Sequence, residues 1–250
     1  ITDTPHRLST VPGEATLLTD DELAASLAPS GRLGGLVSAL ADAAPSGSPL
    51  RQAVCLAVDP DLVETVAAMS AGDYTYRGPD GNPVPGTGTA VAAAWLTELR
   101  QVATGGCVVA LPYADADLVA LTRGGHGDLA TRAVTDGRAT LSTLLGVPIV
   151  DDASWPADGL VDTATLEQLV QAGGRTVVLA ADGVEQLGAQ RSAGVVPIVT
   201  PQPAAPPPAG APVQQTAVLT DPLLTAAMTG PSTTVAGPRG GAAPAAGLAG

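Results

Sequence analysis

The sequence predicts an α/β protein of parallel strands. Its form is a partial or distorted (β/α) barrel with a Pro/Gly-rich C-terminal segment, and an open doubly wound sheet is the alternative. Three observations predict this. Short β-branched runs recur, most of them end in Asp, and a helical pattern follows most of them. The runs are apolar throughout instead of alternating, which suits strands covered on both faces. Helical stretches of about 10–15 residues separate them, which implies right-handed βαβ units.

In chain order, an N-terminal strand is expected to end near His6. Helical patterns follow at Asp20–Leu27 and Leu33–Ala43. Ala53–Val58 then runs into Asp59-Pro60-Asp61 and the helix LVETVAAM. The segment Gly72–Gly88 is rich in Gly and Pro and reads as a surface excursion. Thr89–Ala103 places Val91, Trp95 and Leu99 on one helical face. Cys107–Leu111 runs into PYADAD and then LVALT, and Leu129–Leu145 is a further helix. Val147–Val150 leads to Asp151-Asp152 and the helix TATLEQLVQAG, and Thr176–Ala181 leads to Asp182-Gly183. Val195–Val199 is another strand candidate, and Thr216–Thr220 leads to Asp221-Pro222 and LLTAAM. Irregular spacing of the strand-end Asp residues argues against a tandem solenoid. The expected organisation is a barrel-like domain over 1–199, a Pro-rich linker or loop over 200–214, a further β-α unit over 215–229 and a Gly/Ala/Pro-rich tail over 230–250.

Composition excludes several functions. The chain carries 11 Arg, no Lys and 24 acidic residues, for a net charge of −13. Nucleic acid and anionic lipid both require clustered positive charge, so neither is an expected partner. No stretch is apolar enough to span a bilayer. The chain does not start with Met and shows no secretion signal of its own, so it reads as a segment of something longer. Only five residues are aromatic and none is Phe, so the core must rely on closely packed Ala, Val and Leu.

Ligands of α/β folds bind outside the carboxyl ends of the strands. Asp59, Asp61, Asp115, Asp117, Asp151, Asp152, Asp182 and Asp221 fall near that rim, with Tyr113 and Trp155 close by. Such a rim could supply acid–base pairs, hold a hard cation or bond sugar hydroxyls. Helix capping is the competing explanation. Asp59-Pro60 and Asp221-Pro222 fit an N-cap followed by Pro, and Thr19 with Glu22 and Asp182 with Glu185 have capping-box spacing. Asp115, Asp117 and Asp152 are less fully explained, because two carboxylates close together need supply only one cap. His6, beside Arg7, could face the same rim, whereas His126 reads as a loop residue. Two separated His residues do not make a zinc site, and neither a metal nor a cofactor is expected. No nucleophile elbow, phosphate loop, dinucleotide fingerprint or zinc-protease motif is present. Cys55 and Cys107 lie on consecutive strands. They form a disulfide if those strands are neighbours and remain reduced core residues otherwise.

The segments TPHRLS, LAVDPDLVETVAAM, AAWLTELRQVA, VVALPYADADLVAL and DDASWPADGLVDTATLEQL resemble an actinobacterial cell-envelope family of unknown function, over about residues 1–199. The resemblance implies a long, secreted protein with an extracytoplasmic region and a C-terminal membrane anchor outside this segment. Genes of that family commonly neighbour the gene of the lipid II flippase. The barrel is also loosely similar to those of polysaccharide deacetylases and some glycoside hydrolases. It lacks the paired His metal ligands of the former and a recognisable strand-end Glu. No catalytic residue is carried over.

These readings lead to a non-enzymatic extracytoplasmic domain that binds a cell-wall glycan or a partner protein. Its expected contacts are Asp59, Asp115, Asp117, Asp152, Trp155, Tyr113 and His6. A carbohydrate-active hydrolase using paired strand-end Asp residues is the first alternative, and a structural scaffold is the second.

Overall fold

The computed structural model describes residues 1–9, 16–72, 74–181, 194–198 and 215–228. They form a mixed α/β structure with parallel strand pairs. Strand β1 (Arg7–Ser9) pairs antiparallel with β2 (Thr16–Leu18). Helices α1 (Glu22–Leu27), α2 (Arg32–Ala43) and α3 (Pro49–Ala53) follow, and then β3 (Cys55–Val58) and α4 (Pro60–Ala71). The hairpin β4 (Tyr74–Arg77) and β5 (Pro83–Pro85) leads to α5 (Thr89–Ala103) and β6 (Cys107–Ala110). A short 3-10 turn, Tyr113–Asp115, precedes α6 (Leu118–Arg123) and α7 (Gly127–Leu145). The chain continues through β7 (Ala153–Ser154), a second 3-10 turn (Ala157–Gly159), α8 (Thr163–Gln171) and β8 (Thr176–Ala180). Strands β9 (Gly194–Pro197) and β10 (Thr216–Thr220) and helix α9 (Pro222–Met228) complete the described elements.

The functional face is set by β3 and β6, which pair in parallel with Cys55 opposite Cys107, and by the sheet β7-β8-β10-β9. The amide of Val150 donates to the Val108 carbonyl at 2.8 Å, tying the chain ahead of β7 to β6. No pairing joins β3 to β9 or β10 among the described residues, so no closed barrel is shown.

Two cores support these strands. The larger packs α2, α4, α5 and α7 around β3 and β6 through Val37, Val63, Val66, Met69, Trp95, Leu99 and Leu141. Trp95 is 2% exposed, and its indole N–H donates to the Leu33 carbonyl at 3.0 Å. A buried ring needs such a partner for its polar atom. The smaller core joins α6, α7 and α8 to β8 and β10 through Leu118, Val134, Leu169, Val177 and Leu219.

Several expectations are corrected. The N-terminal strand begins at Arg7, after His6. Val147–Val150 is not a strand, and the strand in this stretch is Ala153–Ser154, which pairs with β8. Gly72–Gly88 lies largely at the surface, as expected, but it is a hairpin: β4 and β5 extend the β1-β2 sheet. Tyr74 there is 3% exposed, donates to Asp21 Oδ1 at 2.6 Å and accepts from the Gly88 amide at 2.6 Å. Helix α3 had no periodic signal; Ser48 caps it by accepting from the Arg51 amide, with Pro49 in its first turn. The Thr19–Glu22 capping box does not form, because Asp20 Oδ1 takes the Glu22 amide at 2.9 Å. Asp182 and Glu185 lie outside the described residues, as do the Pro-rich run 200–214 and the tail 230–250. Strand β10 pairs in parallel with β8, so the 215–228 stretch continues that sheet.

Candidate functional site

Strand ends and the turns after them build a groove of about 530 Å³. Its walls are Leu36 and Leu40 of α2, Val54–Ala57 along β3, and Leu111 and Asp115 beyond β6. Trp155, Pro156, Ala157 and Asp158, beyond β7, form the opposite side. Trp155 is 37% exposed, so its ring is available to a ligand. Among the described residues, the carboxylates lining the groove are Asp115 and Asp158, and both residues are exposed.

The two carboxylates come from similar turns. Pro112 precedes Tyr113–Asp115, and Pro156 precedes Ala157–Gly159. Ala114, Asp115 and Asp158 have φ of 57°, 49° and 55°. A side chain beyond Cα disfavours that left-handed region. Gly159 also has φ of 65°, and a Cβ there would sit 2.5 Å from the Ala180 nitrogen, so close approach to β8 requires glycine.

Asp59 is placed differently from the expected rim contact. It is fully buried and caps α4. Its Oδ1 accepts from the Asp61 amide at 3.0 Å and from the Ala114 amide at 3.1 Å, and its Oδ2 accepts from the Thr2 hydroxyl at 3.5 Å. Burial pushes its pKa up to about 6; two backbone N–H bonds oppose the rise, and the charges of Asp61 and Asp115 add to it. Asp117 caps α6 by accepting from the Ala120 amide at 2.9 Å and does not line the groove. Asp152 lies beside Arg138, and its carbonyl accepts from the Arg175 and Thr176 amides. Arg138 itself donates to the Ala153 and Ala172 carbonyls and to Ser154 Oγ. The bonds of Asp152 thus tie it to the start of β8, while Arg138 joins α7 to β7. Asp221 caps α9 through the Leu223 and Leu224 amides.

Tyr113 and His6 belong to a separate charged corner. The Arg7 guanidinium donates to Asp61, Glu64 and Tyr113, and the Tyr113 hydroxyl donates to Glu64 Oε2 at 2.5 Å. Burial opposes the Arg7 charge, but its bonds to Asp61 and Glu64 outweigh burial and hold its pKa above the ordinary range. Burial and the bond to Glu64 likewise raise the Tyr113 pKa. Glu64 is held low, because its bonds to Tyr113 and Arg7 outweigh its burial. His6 lies between Asp3 at 3.9 Å and Asp20 at 3.7 Å. Of the residues expected to form one rim, the structure brings Asp115 and Trp155 into one groove and places the others elsewhere. Sequence reading missed Arg7, Asp61 and Glu64 as a network, because the partners lie more than 50 residues apart.

Cys55 and Cys107 form a disulfide across the first residues of β3 and β6. Among the described residues, no group of three His, Cys, Asp or Glu side chains is placed to hold a metal ion. No helix among them is long and apolar enough to cross a membrane. No protein-family model matches the chain. No curated protein matches it either.

Proposed function

We propose that this chain is a non-enzymatic, extracytoplasmic binding domain of a cell-envelope protein that takes a cell-wall glycan in the groove between Trp155 and Asp115. One observation carries the reading: a half-exposed indole faces an open, mainly aliphatic groove that holds two carboxylates. A sugar ring presents a C–H face suited to stacking on an indole and hydroxyls suited to carboxylate acceptors. The supporting frame is a partial (β/α) barrel: β3–β6, β7–β8 and β8–β10 pair in parallel, with the β4–β5 hairpin and the antiparallel β9 inserted between them in sequence. A disulfide accords with an oxidising compartment outside the cytoplasm.

Incubation with purified actinobacterial cell-wall polysaccharide and peptidoglycan tests the reading. The expected result is retention on the polymer, weakened at least tenfold by Trp155→Ala, with no soluble sugar released. Sugar fragments in the soluble fraction, lost in Asp115→Asn, establish a hydrolase instead. That alternative draws support from Asp115 and Asp158 lining one groove. Neither retention nor release overturns both and leaves a protein partner or a scaffold.

A further inference from the structure

The turn that carries Asp115 does not hold itself. Ala114 and Asp115 both sit in the left-handed region, at φ of 57° and 49°. Each such residue costs about 1 kcal/mol or more and persists only where its surroundings fix it. Two of the turn's amides are satisfied locally: Asp115 donates to the Pro112 carbonyl at 2.9 Å, and Ala116 donates to the Tyr113 carbonyl at 3.3 Å. The third, from Ala114, reaches across to Asp59 Oδ1 at 3.1 Å. Asp59 is fully buried, and the same oxygen caps α4 through the Asp61 amide at 3.0 Å.

We propose that Asp59 is the positioning residue of the groove: ionised, it fixes the Ala114–Asp115 turn, and protonated, it loosens that turn. This rests on the reading of the groove as a binding site and adds a pH control to it. Burial sets the control, and the charges around Asp59 add to it. The carboxylates of Asp61 on α4 and Asp115 on the turn both favour its protonation. The Arg7 guanidinium is engaged by Asp61 and Glu64, and Arg32 of α2 by Asp3 and the Thr2 carbonyl. Asp59 is therefore a buried carboxyl whose own hydrogen bonds are to two amides and a hydroxyl. Its titration falls near pH 6, where a modest change of acidity switches it.

NMR titration of the isotope-labelled chain from pH 4 to 8 tests this without a ligand. The Asp59 carboxyl carbon and the amides of Ala114 and Asp115 are expected to share one midpoint near pH 6. That transition disappears from both amides in Asp59→Asn. In Asp115→Asn the Ala114 amide keeps it, with the midpoint moved down because a like charge is gone. Flat Ala114 and Asp115 amides while Asp59 titrates overturn the proposal, as does a transition that survives in Asp59→Asn. An unmoved midpoint in Asp115→Asn overturns it equally, and this readout serves if Asp59→Asn does not fold. Retention on cell-wall polysaccharide is measured separately at pH 5 and 7.5. Its absence at both values sinks the glycan reading and leaves the titration result intact.

Discussion

The turns after β6 and β7 have nearly the same local chemistry and different supports. Each follows a Pro, each is a single 3-10 turn, each contains a left-handed non-Gly residue and each brings one Asp to the groove. The first turn hangs from a buried carboxyl on a neighbouring helix, in the half of the molecule that carries the disulfide and the larger core. Among the described residues, the second is held by its own bonds, Gly159 to the Pro156 carbonyl and Leu160 to the Ala157 carbonyl, and by the close fit of Gly159 against β8. A short motif therefore dictates the shape of a turn, while distant residues decide how firmly it is held.

The largest test of this difference removes the covalent clamp. The Cys55–Cys107 bridge closes a separation of 52 residues. Loop-closure entropy for that length corresponds to about 4 kcal/mol. The double Cys→Ser variant should lose roughly that much in urea unfolding. The loss should appear first as exchange of β3 and β6 amides, with β8 and β10 protected longer. Simultaneous loss of protection in both sheets would show that the two halves unfold as one.

The next largest effect separates local from global consequences of Asp59. Its folded pKa is near 6 against an ordinary 3.8. Between those values the folded chain keeps a proton that the unfolded chain has lost. The stabilising contribution is full below about pH 3.8 and is lost as pH rises through 6, a change of about 3 kcal/mol at the limit. Asp59→Asn should remove this slope and leave the protein more stable than its parent at pH 7.5, measured by denaturation at several pH values. The ionised carboxylate holds the Ala114 amide more strongly even as its burial weakens the fold as a whole. A steeper slope in the variant would refute this assignment.

Much of the fold was legible because it is written locally. Asp59-Pro60 and Asp221-Pro222 mark helix starts, and continuous apolar runs mark β3, β6, β8 and β10. The hairpin β4–β5 was hidden because Pro bounds β5 at both ends and its strands are three or four residues long. Val147–Val150 has strand composition, yet the pairing with β8 falls three residues later. The candidate site was legible only in part. Trp155 and Asp115 could be proposed from their positions after strands, but the groove walls come from α2, β3 and two turns whose meeting is a tertiary fact. Asp59-Pro60 already marks a cap in the sequence, but only packing buries its carboxyl and brings Asp115 to the groove.

Gly159→Ala probes the second turn's one strong constraint. An alanine would have to hold φ of 65° and would meet the Ala180 backbone nitrogen at 2.5 Å. Backbone cannot move aside as a side-chain tip can, so a loss of about 2–3 kcal/mol is expected. Calorimetry checks it. A loss below about 0.5 kcal/mol would mean that the turn relaxes freely and that β8 does not fix it.

The smallest effect compares the two turns directly. Glycine at Ala114 or at Asp158 relieves left-handed strain of about 1 kcal/mol. It also adds freedom to the unfolded chain, which returns about 0.5–1 kcal/mol. The net gain at Asp158 should be about a few tenths of a kcal/mol, since the fit of its turn against β8 comes through Gly159 and is kept. At Ala114 the same sum applies only while Asp59 holds the amide, so the gain should differ between pH 5 and pH 7.5. Equal pH dependence at both positions would erase the distinction between a turn held by a titrating carboxyl and one that is not.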